Sequence, residues 1–314
     1  MRRLIRWLGG TLLVAVAATM AGGWYLLSVA LQPHVQRDAE ACYARFCRTY
    51  PTLQPWADSL RTAGALREVT IMADDGATLQ AFYIAAPTPS KRTAIPVHGY
   101  TDHPFGMLQY AWLYQRELNC NVLLPALRYH GASEGRAIQM GWFDREDVLR
   151  WIGEADRLFG EGQQMVVHGV SMGAATTMML AGDDRLPRSV RCLVEDCGYT
   201  SVWEQFRKEL REDYGLPAFP LLYAADLLCR LRYGWGFREA SALKQVAGCD
   251  RPMLFIHGGN DTYVPTAMAE PLYAAKQGAK ALWIAPDSPH ASSFADHPAE
   301  YAARVKAFVE QYLP

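Results

Sequence analysis

The sequence predicts an α/β domain with a mostly parallel central sheet and helices on both of its faces, set behind one N-terminal transmembrane helix. Three observations carry this. Residues 7–31 are apolar and uncharged. A short antiparallel hairpin follows. From residue 94 onward, short apolar runs alternate with helical stretches, the pattern of a parallel sheet buried on both sides.

The N-terminal segment comes first. Arg2, Arg3 and Arg6 precede it, and no charge occurs between Arg6 and Arg37. A 25-residue helix at 1.5 Å per residue is roughly 37 Å long, enough to cross a hydrocarbon core of about 30 Å with some tilt. A cleaved leader with its small-residue site at Ala15-Val16-Ala17 is the competing reading, but the apolar run continues through Trp24, Leu26 and Leu27. The segment predicts an anchor in the lipid bilayer. Arginines on its N-terminal flank place the N-terminus in the cytoplasm and the bulk of the chain outside, at the cell membrane.

Residues 32–66 read as a helical connector, broken at Pro51. Runs at 69–72 and 78–84 read as a hairpin turned at Asp74-Asp75-Gly76. Strands are expected at 94–98, 120–124, 165–168, 190–194, 253–256 and 281–284. Helices are expected at 107–118, 142–159, 174–181, 266–276 and 298–312. The domain then spans 67–314. One stretch, about 200–241, has no clear strand and is rich in aromatic and leucine residues. It reads as a helical cap insertion over the C-terminal edge of the sheet. Its apolar residues either line a substrate pocket or pack the insertion onto the body.

Composition excludes several classes. The 314 residues carry a formal net charge of -1 and no basic stripe, so no nucleic-acid partner is expected. The histidines form no close i, i+4 pair and have no C-x-x-C partner, so no metal is expected. No Gly-rich dinucleotide fingerprint follows a strand, and no cofactor is expected. Seven cysteines suggest no disulfide framework. Cys42 and Cys47 would face different sides of a helix, and Cys120 and Cys192 read as core.

The chemistry-bearing motif is Gly169-Val170-Ser171-Met172-Gly173, a G-x-S-x-G match. At average residue usage chance supplies about one such match per ten chains of this length, so context decides. Here it joins an apolar run directly to a helix-forming run: strand, tight turn, helix. Ser171 on such an elbow is a candidate nucleophile, and it needs a base. His290, just past the last strand, is that candidate. His297 is the rival, but it abuts Pro298 and reads as a helix-entry residue. His168 and His257 end strands, and His130 sits in a Gly-rich loop. The acid that orients the base is expected at Asp261, in the turn after the 253–256 strand, with Asp196 as the backup. Charge developing on a substrate oxygen would meet the backbone N–H groups of Met172 and Tyr100, the latter in the loop opened by His98-Gly99.

Residues 96–104, 127–135, 141–152, 167–173 and 255–265 resemble bacterial α/β-hydrolases of the serine-aminopeptidase-like and dienelactone-hydrolase-like group, many of them membrane-anchored. The resemblance runs from about Glu68 to the C-terminus. It implies the α/β-hydrolase fold and a cofactor-free serine hydrolase whose triad is Ser171, Asp261 and His290. Its substrate would be a small molecule or short peptide with an acyl group. Cleavage of carboxylic esters leads, with serine peptidase or aminopeptidase activity as the alternative and a catalytically silent binding module as a third reading. One departure is Ala126, where many relatives place an aspartate before Leu-Arg; it leaves the bonding of that loop open.

Overall fold

A computed structural model describes residues 2–34 and 37–313. The chain divides into two compact units, Met1–His34 with Ser201–Ala240, and Val35–Thr200 with Ser241–Pro314. The insertion therefore groups with the N-terminal helix, and the connector groups with the sheet.

In the larger unit the connector forms α2 (Ala39–Thr49) and α3 (Gln54–Thr62), with Asp38 capping α2 through the Ala41 N–H. β1 (Arg67–Met72) and β2 (Thr78–Ile84) form the expected hairpin. Next come β3 (Arg92–Val97), α4 (Leu108–Trp112) within a longer irregular helical run, β4 (Asn121–Pro125), α5 (Asp144–Phe159), β5 (Gln164–Val170), α6 (Met172–Ala181) and β6 (Val190–Asp196). After the insertion follow α9 (Ala242–Val246), β7 (Met253–Gly258), α10 (Ala269–Ala275), β8 (Lys280–Ala285), α11 (Ser293–Asp296) and α12 (Pro298–Tyr312).

The eight strands form one sheet in the order β1-β2-β4-β3-β5-β6-β7-β8. β2 pairs antiparallel with both neighbours, and every pairing from β4 to β8 is parallel. Alternate strand residues face opposite sides. Ala94, Val122, Val166, Val194 and Ile256 join one core with α2, α3, α4 and α12. Their neighbours Ile95, Leu123, Val167, Leu193 and Phe255 are also buried. Burial on both faces explains why these strands read as unbroken apolar runs. β8 departs from that expectation. It is an edge strand, and Ile284 on it is exposed.

The smaller unit holds α1 (Arg2–Leu31), α7 (Val202–Tyr214) and α8 (Leu221–Tyr233). Ser201 caps α7 through the Glu204 N–H, and left-handed Gly215 and Gly234 end α7 and α8. Phe206 and Phe237 meet edge to face at 5.0 Å, and the Asp226 carboxylate accepts the Phe237 N–H at 2.6 Å. Residues 6–31 of α1 are long and apolar enough to cross a membrane. The C-terminal part of α1 packs against α8.

Candidate active site

The elbow between β5 and α6 is fixed by its two glycines. A Cβ on Gly169 would sit 2.0 Å from the Gly173 carbonyl oxygen, and one on Gly173 would sit 2.1 Å from that of Val97. No side chain fits at either place. Ser171 between them has φ 57° and ψ -116°, a region that non-glycine residues rarely occupy. Its N–H donates to the Asp196 carbonyl at 2.8 Å, which ties the turn to β6.

The Ser171 hydroxyl lies 2.8 Å from His290 Nε2, and His290 Nδ1 lies 2.7 Å from Asp261 Oδ2. A carboxylate can only accept, so Nδ1 carries the proton and Nε2 is free to accept from the serine. The other Asp261 oxygen accepts the N–H groups of Tyr263 and Val264 at 3.0 and 2.9 Å. Burial alone would raise the Asp261 pKa, but the hydrogen bonds from His257 and His290 hold it at about 2. The loops carrying Asp261 and His290 are zipped together. Asn260 N–H donates to the Ser288 carbonyl at 3.0 Å, and only a glycine at 258 permits the approach, since a Cβ there would lie 2.3 Å from that oxygen.

The structure thus brings Ser171, Asp261 and His290 together and bonds the side chains of their rivals to other groups. His297 bonds the Pro286 carbonyl at 2.8 Å, at the entry to α12. Asp196 accepts the Tyr301 hydroxyl at 2.8 Å. Gly99 touches the elbow: a Cβ there would lie 3.4 Å from that of Ser171, so the loop leading to Tyr100 runs beside the serine. Met172 is the first residue of α6.

Two histidines brace this loop: His98, which opens it, and His130, which the sequence left with a plain reading. His98 Nδ1 donates to the Gly99 carbonyl at 2.8 Å, and its Nε2 accepts the Leu127 N–H at 3.0 Å. His130 Nε2 accepts the Thr101 N–H at 3.0 Å, and its Nδ1 donates to the Arg128 carbonyl at 2.8 Å. Burial lowers the pKa of both, that of His130 to about 3, so each stays neutral and keeps one donor and one acceptor. The loop containing Ala126 is held by other bonds: Ser133 donates to the Ala126 carbonyl, and Arg128 pairs with Asp147 at 2.6 and 2.9 Å.

A cavity of about 480 Å³ opens at Ser171 and His290. Part of its wall comes from the connector: Arg37 and, on α2, Arg45 and Phe46, facing Met107, Tyr110 and Tyr263. Arg45 Nη2 lies 2.8 Å from both oxygens of Asp102, in the loop just past Tyr100. Burial and the Asp102 carboxylate push the Cys42 thiol up to about 12, so it is no nucleophile. Cys197 Sγ, Asp261 and His290 fall within 4.8 Å of one another. Burial holds that thiol protonated and Asp261 is committed to His290, so the trio is a poor metal donor set.

This fold with this elbow defines a hydrolase of the α/β type. The model of the Alpha/beta hydrolase family matches residues 97–304, and the chain belongs to that family. It is 33% identical to the uncharacterized protein YqkD of Bacillus subtilis over 228 residues, 73% of this chain and 74% of that one. It is 24% identical to the alpha/beta hydrolase domain-containing protein WAV2 of Arabidopsis thaliana, over 79% of each chain. Among solved structures the esterase Pf2001 of Pyrococcus furiosus superposes with a TM-score of 0.64 at 22% identity, covering 79% of this chain and 93% of that one.

Proposed function

We propose that the protein is a membrane-anchored serine hydrolase that cleaves carboxylic esters through an acyl-enzyme. The observation that carries this reading is the Ser171–His290–Asp261 relay at 2.8 and 2.7 Å, opening into a cavity. Ser171 Oγ attacks the substrate carbonyl while His290 Nε2 takes the hydroxyl proton, and Asp261 stabilises the imidazolium that forms. The N–H groups of Tyr100 and Met172 receive the charge on the carbonyl oxygen, helped by the N-terminus of α6. His290 returns the proton to the departing alkoxide. Water then repeats the sequence on the acyl-serine, releasing the acid and restoring Ser171. Esters ask least of this machinery: their carbonyl is more electrophilic than an amide's, and their leaving group needs less protonation. The fold likeness to an esterase points the same way.

A fluorophosphonate probe should label the protein, and Ser171→Ala should abolish labelling and cut turnover by on the order of a million-fold. Labelling of the alanine variant would move the nucleophile elsewhere. Hydrolysis of aminoacyl-arylamides with no turnover of p-nitrophenyl esters would replace esterase by peptidase.

The anchor reading rests on the apolar span at 6–31 and the three arginines on its N-terminal flank. Carbonate washing should leave the protein in the membrane pellet, and externally added protease should digest the hydrolase domain. Release on washing would refute the anchor, and protection until lysis would reverse the orientation.

A further inference from the structure

We infer that α8 lies in the surface of the bilayer that α1 crosses, with Phe219, Tyr223, Leu227 and Leu231 in contact with lipid. This rests on α1 being a membrane span, and it adds a second attachment to that span.

The argument begins with how α1 and α8 meet. A Cβ on Gly22 would lie 2.8 Å from Leu221 Cδ2, and one on Gly23 would lie 2.7 Å from the Ala224 Cβ. The two backbones are therefore in close contact at this level of α1. Gly23, Leu27 and Leu31, four residues apart, form the buried side of α1. The part before it is bare: every residue from Arg6 to Ala18 is exposed. From Trp7 to Trp24 the helix rises about 26 Å at 1.5 Å per residue, close to the thickness of a hydrocarbon core. A bilayer fitted to this helix has Trp7 at one boundary and Trp24 with Tyr25 at the other, where aromatic rings prefer to sit. Gly22 and Gly23 lie at that second boundary. A helix packed on them is held at headgroup level by the geometry of α1 itself.

The remaining face of α8 suits that place. Tyr223, Leu227 and Leu231, at every fourth residue of α8, are 47%, 48% and 74% exposed, and Phe219, in the turn just before α8, is 72% exposed. The opposite face is already used, with Leu222, Ala225 and Cys229 buried. α8 is thus apolar on two sides, and protein covers one of them. The charges agree. Between Leu216 and Tyr233 the one acid is Asp226, buried and bonded to the Phe237 N–H. Arg230, exposed, pairs with Asp226 at 3.4 Å, and the exposed Arg232 stacks its guanidinium over the Trp24 ring at 4.7 Å. An apolar strip edged by arginines and continuous with a span matches a bilayer surface with anionic headgroups.

The test uses the full chain reconstituted into phosphatidylcholine–phosphatidylglycerol vesicles containing a phospholipid with a diazirine in its acyl chain. After irradiation, lipid adducts are mapped by mass spectrometry. Adducts are expected on α1 and on residues 216–233. The double variant Leu227→Gln/Leu231→Gln, which alters exposed positions only, should lower adducts on 216–233 by at least ~fivefold and leave those on α1 unchanged. Adducts on α1 with none on 216–233 would overturn the inference while leaving the anchor intact. Adducts on neither would overturn the anchor and this inference with it. Cross-links between the α8 helices of two copies, in place of lipid adducts, would give the strip to a second chain and also overturn it.

Discussion

Replacing Asp261 by asparagine exchanges one atom of the relay, and the structure fixes which one. Oδ1 accepts two backbone N–H groups, from Tyr263 and Val264, while Oδ2 faces His290 Nδ1. An asparagine keeps those two bonds only if its carbonyl oxygen takes the Oδ1 position. The flipped amide would orphan both donors, at about 1–3 kcal/mol each. Its NH₂ group must then point at Nδ1, which can no longer carry a proton. The proton moves to Nε2, the atom 2.8 Å from Ser171 Oγ, and the lone pair that would accept the serine proton is lost. The expected loss is ~10⁴-fold in kcat, about 5.5 kcal/mol of transition-state stabilisation. Asp261→Ala removes the orienting group without forcing the tautomer, so per folded molecule it should be no slower than the asparagine variant. Stopped-flow acylation by a p-nitrophenyl ester measures both, with thermal melts to establish the folded fraction. An asparagine variant within ~tenfold of wild type, or clearly faster than the alanine variant, would refute the tautomer argument.

Other substitutions separate the relay from its neighbours. His290→Ala should match Ser171→Ala in the ester assay, while His297→Ala should stay within ~tenfold because that ring holds the Pro286 carbonyl; the reverse order would relocate the base. Asp196→Asn should also stay within ~tenfold, since its carboxylate serves Tyr301, and a loss as large as that of Asp261→Asn would make it the acid. Gly173→Ala forces a Cβ to within 2.1 Å of the Val97 carbonyl oxygen and should cost more than ~3 kcal/mol, read as a collapse of the melting temperature; an unshifted melt would contradict the elbow geometry. Asp261 is held at about 2, below its ordinary 3.8, so the stability it contributes is fully present above pH ~4 and is lost as pH falls through ~2. In urea unfolding the advantage of wild type over Asp261→Asn should therefore shrink as the pH falls from 5 to 2; an advantage that widens would refute the assignment.

The parts of this molecule legible in its sequence are those written in local pattern. Val166-Val167 and Leu254-Phe255-Ile256 read as strands because both faces are buried and every position is apolar. The elbow reads from two glycines that nothing else can replace. Asp261 and His290 read from chain order after their strands. The cavity wall was not legible, because Arg45 meets Asp102 across 57 residues and nothing local in either sequence marks the pairing. The same holds for His98 and His130, whose partners are backbone atoms and leave no trace in side-chain type. The insertion shows the converse. Its apolar richness was plain, but an apolar side chain looks the same whether it faces a pocket, a protein core or open surface. Position, not composition, separates Phe237 from Phe219.

The division of α1 into a bare part and a packed part decides where the chain can be shortened. A cut just before Thr19 spares the buried side of α1: residues 6–18, which it removes, are all exposed, and most of the greasy surface goes with them. A cut just after Leu31 takes Gly23, Leu27 and Leu31 as well, and strips Ala224 of its close neighbour. The longer deletion is the more natural choice for anyone trimming a leader, yet it trades one exposed apolar surface for another. For preparing the hydrolase in water, fewer residues removed is the better course.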